Sequence, residues 1–409
     1  MDKIMILGAG EHQLHLIERA KERGFYTIAV SPDGDYPGLK AADKVYLHDA
    51  MDVEFVTETA RAEGVRGITS DQSEIFVRPI AYACDALGLP GNPPEVAELY
   101  TDKGMMRRRG KELGLATIES YTADTYEEAA ARLAEIGARS IIKPLDGFSS
   151  RGVYQIDGED DLKVYFPLSV SQSRCGKVII ERYVEGRVLE VDSIALDGRV
   201  EPLMWGEIWD FGVANVFSSR LRLYPIVEEK DSVPALLEYN RKINEGFGIK
   251  QGITHNEYML ERGTGEIYLI EAALRSGGAM VGSTITELQT GLDTTDFNID
   301  ASMGIADRLP EYEQCRCHCG TVAFYIPIGT VLSLDGLAEV EALDYVRETT
   351  FGKLREGFVS SKIEDKDQRQ LMAVCADSRE ELMARIDHIK DLIKIQVRTP
   401  DGIRGPIWE

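Results

Sequence analysis

Cysteine is scarce in this sequence, six in 409 residues at positions 84, 175, 315, 317, 319 and 375, and the irregular spacing excludes a disulfide framework. Free thiols are expected. Basic charge is also short: 46 Lys and Arg against 69 Asp and Glu leave a net charge of −23, and the one basic cluster is Arg107-Arg108-Arg109. Such a surface repels nucleic acid and anionic membranes, so neither is expected as a partner and any anion must bind locally. Long apolar runs are missing too. The first, Lys3-Ile4-Met5-Ile6-Leu7, is far below the ~20 residues of a membrane span. Gly8-Ala9-Gly10-Glu11 breaks it before the apolar region of a signal peptide can form, so a cytoplasmic protein is expected. Repeats and low-complexity tracts are absent, and 409 residues at roughly 150 per domain imply two or three domains.

Residues 1 to about 92 alternate strand and helix. Strands are expected at 4–7, 26–30, 44–47 and 66–69, with helices at 11–23, 53–63 and 75–87 each followed by a glycine, at 24, 64 and 88. This is the pattern of a small parallel α/β sheet covered on both faces, whose ligands sit at strand C-terminal ends, here 8–13 and 70–74. Leu89-Pro90-Gly91-Asn92-Pro93-Pro94 cannot continue helix or strand and ends the first domain. An α+β region follows, with a glycine-rich loop at 146–152 and strands at 177–181, 188–195, 200–206, 252–260 and 267–271. From about 311 the chain reads as a third, smaller α+β unit. Within it, Cys315-Arg316-Cys317-His318-Cys319 would converge three thiolates if all lay on one strand. Structural zinc normally needs a second ligand cluster, and none is present, so the run is read as a strand entering a domain.

Three motifs carry chemistry. Gly8-Ala9-Gly10-Glu11-His12-Gln13 has the setting of a dinucleotide fingerprint but carries Gln at the third glycine position, and the second strand ends without an acid for a ribose. A dehydrogenase is disfavoured. In 141–153 an apolar strand delivers Lys143 beside a loop of glycines, serines and Arg151 suited to phosphate oxygens, although it is not a Walker A sequence. Glu257 and Glu271 lie on strands joined by the hairpin turn Arg262-Gly263-Thr264-Gly265, so antiparallel pairing would bring their carboxylates to one face. A divalent cation bridging to a polyphosphate is the usual partner of such a pair, with Arg275 directed at the same oxyanions.

Taken in order, Lys103, Lys143, Glu181-Arg182-Tyr183-Val184-Glu185-Gly186, Glu257, and Glu271 with Arg275 resemble the ATP-grasp superfamily over about three quarters of the chain. The resemblance implies a pre-ATP-grasp α/β domain (1–97), a two-subdomain ATP-grasp domain (98–310, with a mobile lid at about 117–187) and a C-terminal α+β domain (311–409). It implies ATP and Mg²⁺ or Mn²⁺ as cofactors. Lys103 and Lys143 would touch the phosphates, with Gly147, Ser149, Ser150 and Gly152 in the covering loop. Glu181, Arg182, Tyr183 and Val184 would form the adenine hinge, and Glu190 would hold the ribose. Glu257 and Glu271 would ligate the metal, and Arg275 and Lys143 would be catalytic. Glu11, Asp71, Glu74 and Arg275 would line the substrate pocket, although acids at 71 and 74 also suit a helix start.

The family pattern Glu-x-Asn-x-Arg has Ala273 in place of Asn, as in the branches of the purine-biosynthetic carboxylating ligase and the bacterial L-amino-acid ligases. The implied activity is a carboxylate-amine ligase that works through an acyl phosphate. Carboxylation of an amine through carboxyphosphate and a nucleotide-binding regulatory module are the alternatives. Small-molecule acid and amine partners and a homodimer complete the expectations.

Overall fold

The computed structural model describes residues 1–147, 150–213, 215–361 and 369–409. Strands β1 (Lys3–Leu7), β2 (Tyr26–Ser31), β3 (Lys44–Leu47) and β4 (Gly67–Thr69) form the expected parallel sheet, in the order β3-β2-β1-β4. Side-chain alternation along β1 sends Met5 and Leu7 against Val56, Ala60 and Ala83, while Ile4 and Ile6 meet Leu16, Ile17, Ile299 and Met303. Both faces are therefore covered. Helices Val53–Glu63 and Val77–Leu87 end on Gly64 and Gly88, whose φ of 63° and 64° is the left-handed region that glycine enters without strain.

A second sheet is built from β5 (Ser120–Ala123), β6 (Ser140–Pro144), β7 (Tyr154–Ile156) and β8 (Val178–Arg182), in the order β5-β8-β6-β7. Helices Tyr126–Ile136 and Glu159–Val170 pack on one side of it. The chain then enters β9 (Gly186–Leu196), β10 (Arg199–Asp210), β11 (Ser219–Tyr224), β12 (Gly252–Glu261) and β13 (Ile267–Ala273). After these come β14 (His318–Tyr325), β15 (Gly329–Asp335), β16 (Val346–Thr349), β17 (Val359–Ser360), β18 (Arg369–Ala376), β19 (Lys394–Thr399) and β20 (Gly402–Arg404).

One antiparallel sheet of eight strands runs β13-β12-β9-β10-β11-β14-β18-β16. The sequence suggests a separate unit from residue 311, but β14 pairs with β11, so the C-terminal strands extend the central sheet. Without them the outer edge of β11 would be an unpaired ladder, which a folded protein must cover. Among the described residues of the C-terminal part, β17, β15, β19 and β20 form a separate sheet.

Helix Val233–Phe247 supports the back of the large sheet, with Leu236, Ile243 and Phe247 packed among Leu189, Val191 and Leu269. A buried polar network fixes its register: Asn256 Nδ2 donates to Asn240 Oδ1 at 3.0 Å and the Tyr258 hydroxyl donates to the same oxygen at 2.8 Å. With Asn256 and Tyr258 held on the back, alternation turns His255 and Glu257 to the front.

Gly206 matters on that sheet because a Cβ there would lie 2.5 Å from the Tyr224 ring. Gly206→Ala should therefore destabilise the protein by about 1–3 kcal/mol through overpacking, measured as a lowered urea midpoint. An unchanged midpoint would mean that the ring moves aside freely.

Candidate active site

A cavity of about 460 Å³ lies between the four-stranded β5-to-β8 sheet and the large sheet. Its walls include Lys103, Lys143, Glu181, Arg222, Glu257 and Glu271, together with hinge residues 182–186 between β8 and β9. The hairpin predicted from sequence forms, and Glu257 is the direct cross-strand partner of Glu271. Its other neighbour, on β9, is Glu190. Three carboxylates thus form one row on the front of the sheet.

Cations are interleaved with the row. Lys103, the first residue of helix Lys103–Glu112, places Nζ 2.6 Å from Glu271 Oε1 and donates to the Gly147 carbonyl at 2.5 Å. Burial opposes the lysine's charge, but Glu271 and Glu74 outweigh it and raise its pKa. Lys143 Nζ lies 2.6 Å from Glu181 Oε2, while Arg107 Nε donates to Glu181 Oε1 at 2.7 Å and Arg107 Nη2 to the Ile270 carbonyl at 2.7 Å. Burial lowers the pKa of Lys143 despite Glu181. Glu181 is also buried, yet Arg107 and Lys143 hold its carboxyl down at about 2.

On the other flank, Arg222 bonds Glu190 and reaches Glu257 Oε1 at 3.2 Å. The Tyr224 hydroxyl donates to the second Glu190 oxygen. His255 Nδ1 lies 3.1 Å from Asp192 Oδ1, and its Nε2 lies 3.5 Å from Glu190 and 3.7 Å from Glu257. Desolvation disfavours the imidazolium, but Asp192, Glu257 and Glu190 raise its pKa to about 9. Burial works against ionised Glu257 as well, and hydrogen bonding from His255 together with Arg222 holds its pKa well below the carboxylate range. Ligand atoms of Glu190, His255 and Glu257 all fall within 4.8 Å of one another, but the Arg222 guanidinium already bridges the two glutamates. Glu257 and Glu271, at the cavity wall, instead offer the hard oxygen donors that suit Mg²⁺ or Mn²⁺.

The remaining sequence candidates are distributed as follows. Glu190 is completely buried among Arg222, Tyr224 and His255. Gly147, Ser150 and Arg151 line the cavity, and Ser150 and Gly152 have φ of 57° and 71°. Ser149 lies outside the described residues. Asp146 accepts from Ser173 Oγ at 2.8 Å and from the Cys175 amide at 3.0 Å. In the hinge, Arg182 pairs with Glu261 at 2.9 Å, and Tyr183 and Val184 line the cavity.

From the N-terminal sheet, Glu74 turns a buried carboxylate toward Glu271, Lys103 and Arg275, with Arg275 Nη2 4.0 Å away. Arg275 Nη1 also donates to the Ser276 carbonyl at 2.8 Å. Asp71 accepts from Ser276 Oγ and, with Arg275, lines a smaller cavity of about 90 Å³. Gln13 joins its own turn to this loop, accepting from the Gly10 amide at 3.1 Å and donating to the Asp71 carbonyl at 2.7 Å. Glu11 is exposed at the helix start and lines neither cavity.

Sequence reasoning missed Arg107, Arg222, Tyr224 and His255. Two had a local signal: Arg107 is four residues after Lys103 on one helix face, and His255 is two before Glu257 on one strand face. Arg222 and Tyr224 had none, because only the pairing of β10 and β11 brings them to the row.

Burial and the Glu271 charge raise Glu74 to about 7. Between an ordinary unfolded pKa near 4.5 and 7, the folded state holds a proton that the unfolded chain has released, so stability falls as pH rises through this window. In nucleotide-free protein Glu74→Gln should abolish that fall. The stability gained by the variant should grow from about pH 4.5 to 7 and then level off. A pH-independent difference in urea melts would contradict the buried, proton-holding carboxyl.

An ATP-grasp domain family matches residues 136–283, which span the Lys143 loop, the hinge and the carboxylate hairpin. Alanine–anticapsin ligase of Bacillus subtilis (strain 168) is 28% identical over 336 residues, covering 72% of this chain and 70% of that protein. Among solved structures, the L-amino acid ligase of Bacillus licheniformis superposes with a TM-score of 0.80 at 20% identity, over 98% of this chain and 99% of that one. N5-carboxyaminoimidazole ribonucleotide synthetase of Thermotoga maritima gives 0.73 at 22% identity, over 97% and 99%. The matched segment carries Lys143, the hinge and the paired glutamates around one cavity: residues 136–283 are an ATP-grasp domain, and the likeness to the L-amino acid ligase structure shows a fold shared over 98% of the chain.

Proposed function

We propose that this protein is an ATP- and Mg²⁺-dependent carboxylate-amine ligase. The observation that carries the reading is the registered pair Glu257 and Glu271, set in a cavity wall beside Lys103 and Lys143. The adenine would meet the hinge 181–184, and the phosphates would meet Lys103, Lys143 and the 146–152 loop. Glu257 and Glu271 would hold Mg²⁺ or Mn²⁺, which supplies charge neutralisation to the triphosphate. An oxygen of the substrate carboxylate attacks the γ-phosphorus, ADP leaves, and the acyl phosphate forms. The amine then attacks the carbonyl and phosphate departs.

Arg275 would stabilise the acyl phosphate, acting with Lys143 as preorganised positive charge. Glu74 and Asp71 give the substrate side an acidic wall, which suits an acid or amine partner carrying an ammonium group. Glu190 is reassigned: its carboxylate is committed to Arg222 and Tyr224, so its role is to hold Arg222 beside Glu257 and not to bind a ribose. The domain limits 1–97, 98–310 and 311–409 are retained as functional segments although the last shares the central sheet.

The decisive experiment follows ADP release with paired amino acids, hydroxy acids, amines and bicarbonate. Release that needs both an organic acid and an amine, with a condensed product, is expected. Release with bicarbonate and an amine alone would favour the carboxylating alternative, and tight ATP binding without turnover on any pair would favour a regulatory module.

Glu257→Gln and Glu271→Gln should each lower kcat by about a hundredfold or more, per folded molecule, because a neutral amide is a poor Mg²⁺ ligand. Near-wild-type ADP release from either would remove the metal assignment. Lys143→Ala should raise KM for ATP and lower kcat together, and an unchanged nucleotide affinity would place Lys143 outside the site.

A further inference from the structure

A second reactive cluster lies on the C-terminal part of the large sheet, unused by the reaction proposed above. A polar cleft of about 710 Å³ there is lined by Cys317 and Cys375, with Arg316, Arg347 and Arg385 around them. Cys375 is the cross-strand partner of Cys319, and its sulfur accepts from Arg347 Nε at 3.3 Å. Cys319 is fully buried, and Gln289 Nε2 donates to its sulfur at 3.4 Å and to the Cys317 carbonyl at 2.5 Å. One amide thus ties the two cysteines together. Cys317 is half-buried in the cleft, where its sulfhydryl donates to the Leu288 carbonyl at 3.5 Å and lies next to the Cys319 side chain.

Cys315 does not join them. It is exposed, with φ of 55°, outside β14, so the three thiols of the 315–319 run do not share a strand face.

We propose that Cys317 is a peroxide-reactive thiol and Cys319 its resolving partner, so that oxidation closes a disulfide between them. The order of reaction follows from the surroundings. Hydrogen bonding from Cys319, with the charges of Arg316 and Arg347, lowers the pKa of Cys317. Burial pushes Cys319 well up. The accessible member is therefore the one that ionises more readily and the enclosed member the one that keeps its proton. The Cys317 thiolate attacks one oxygen of hydrogen peroxide, the O–O bond breaks, and hydroxide leaves as the sulfenic acid forms. The Cys319 sulfur then attacks the Cys317 sulfur. The S–O bond breaks, and the departing hydroxide takes the Cys319 proton as water. Two thiols and one peroxide become one disulfide and two waters.

The test treats the full-length protein with hydrogen peroxide, alkylates the remaining thiols and maps tryptic peptides. Cys317 and Cys319 follow Arg316 on the same peptide, so their disulfide reads as a loss of two hydrogens with no alkylation, reversed by dithiothreitol. Cys317 should react about tenfold faster than the exposed Cys175 and Cys315. In Cys319→Ser the reaction should stop at a Cys317 sulfenic acid that dimedone traps, and in Cys317→Ser Cys319 should stay reduced. Equal rates at all exposed cysteines, a disulfide joining Cys319 to Cys375, or stoichiometric zinc lost on mutation of these cysteines would each overturn the proposal.

Discussion

Three carboxylates in one cross-strand row, Glu190, Glu257 and Glu271, cannot share a sheet face unless cations are held among them. That electrostatic requirement organises the site. Each cation comes from a different part of the chain: Lys103 from the helix after the first domain, Arg222 from β11, and His255 from β12 itself. Closing the row therefore brings the N-terminal helix and the central strands into one constellation. Glu181, bound by Lys143 and Arg107, repeats the arrangement on the facing sheet. Because these groups are buried, removing one partner strands a charge in a low-dielectric setting, and that costs more than the ion pair itself contributes.

Continuity of the large sheet is the second structural consequence. Tyr224 reaches Glu190 because Gly206 leaves room for its ring, and Tyr224 is in turn the register partner of Cys319 on β14. The carboxylates and the thiol cluster consequently belong to one antiparallel ladder. β11 supplies Arg222 and Tyr224 to the site from one edge and anchors the C-terminal strands with the other. Surface charge plays no part in gathering an anion here, since the chain carries −23 overall. Attraction has to come from lysines and arginines within a few ångströms, which is where they are found.

Local pattern made much of this legible. Short apolar runs alternating with glycine-stopped helices located the N-terminal parallel sheet, and the Arg262-Gly263-Thr264-Gly265 turn announced the hairpin, but the register it sets would place Glu257 opposite Ile270; a one-residue shift beyond Tyr258 is what brings Glu257 opposite Glu271. The Gln at position 13 told against a dinucleotide fold, and the structure gives it a different use, tying the first turn to the Asp71 loop.

What the sequence could not decide depended on pairings between segments far apart in the chain. Nothing near Glu190 announces that Arg222 and Tyr224, more than thirty residues later, will claim its carboxylate. Nor does anything near residue 311 announce that β14 will continue the sheet at β11. Asp71 and Glu74 were equally readable as helix-start acids, and Glu74 does begin a helical turn, yet packing of the first domain on β13 buries it against Glu271. Short-range backbone geometry, written in neighbouring residues, settled the strands, the helix ends and the hairpin that carries the two glutamates. Long-range strand order and burial settled which charge faces which, because those are properties of chain segments that meet only in the folded state.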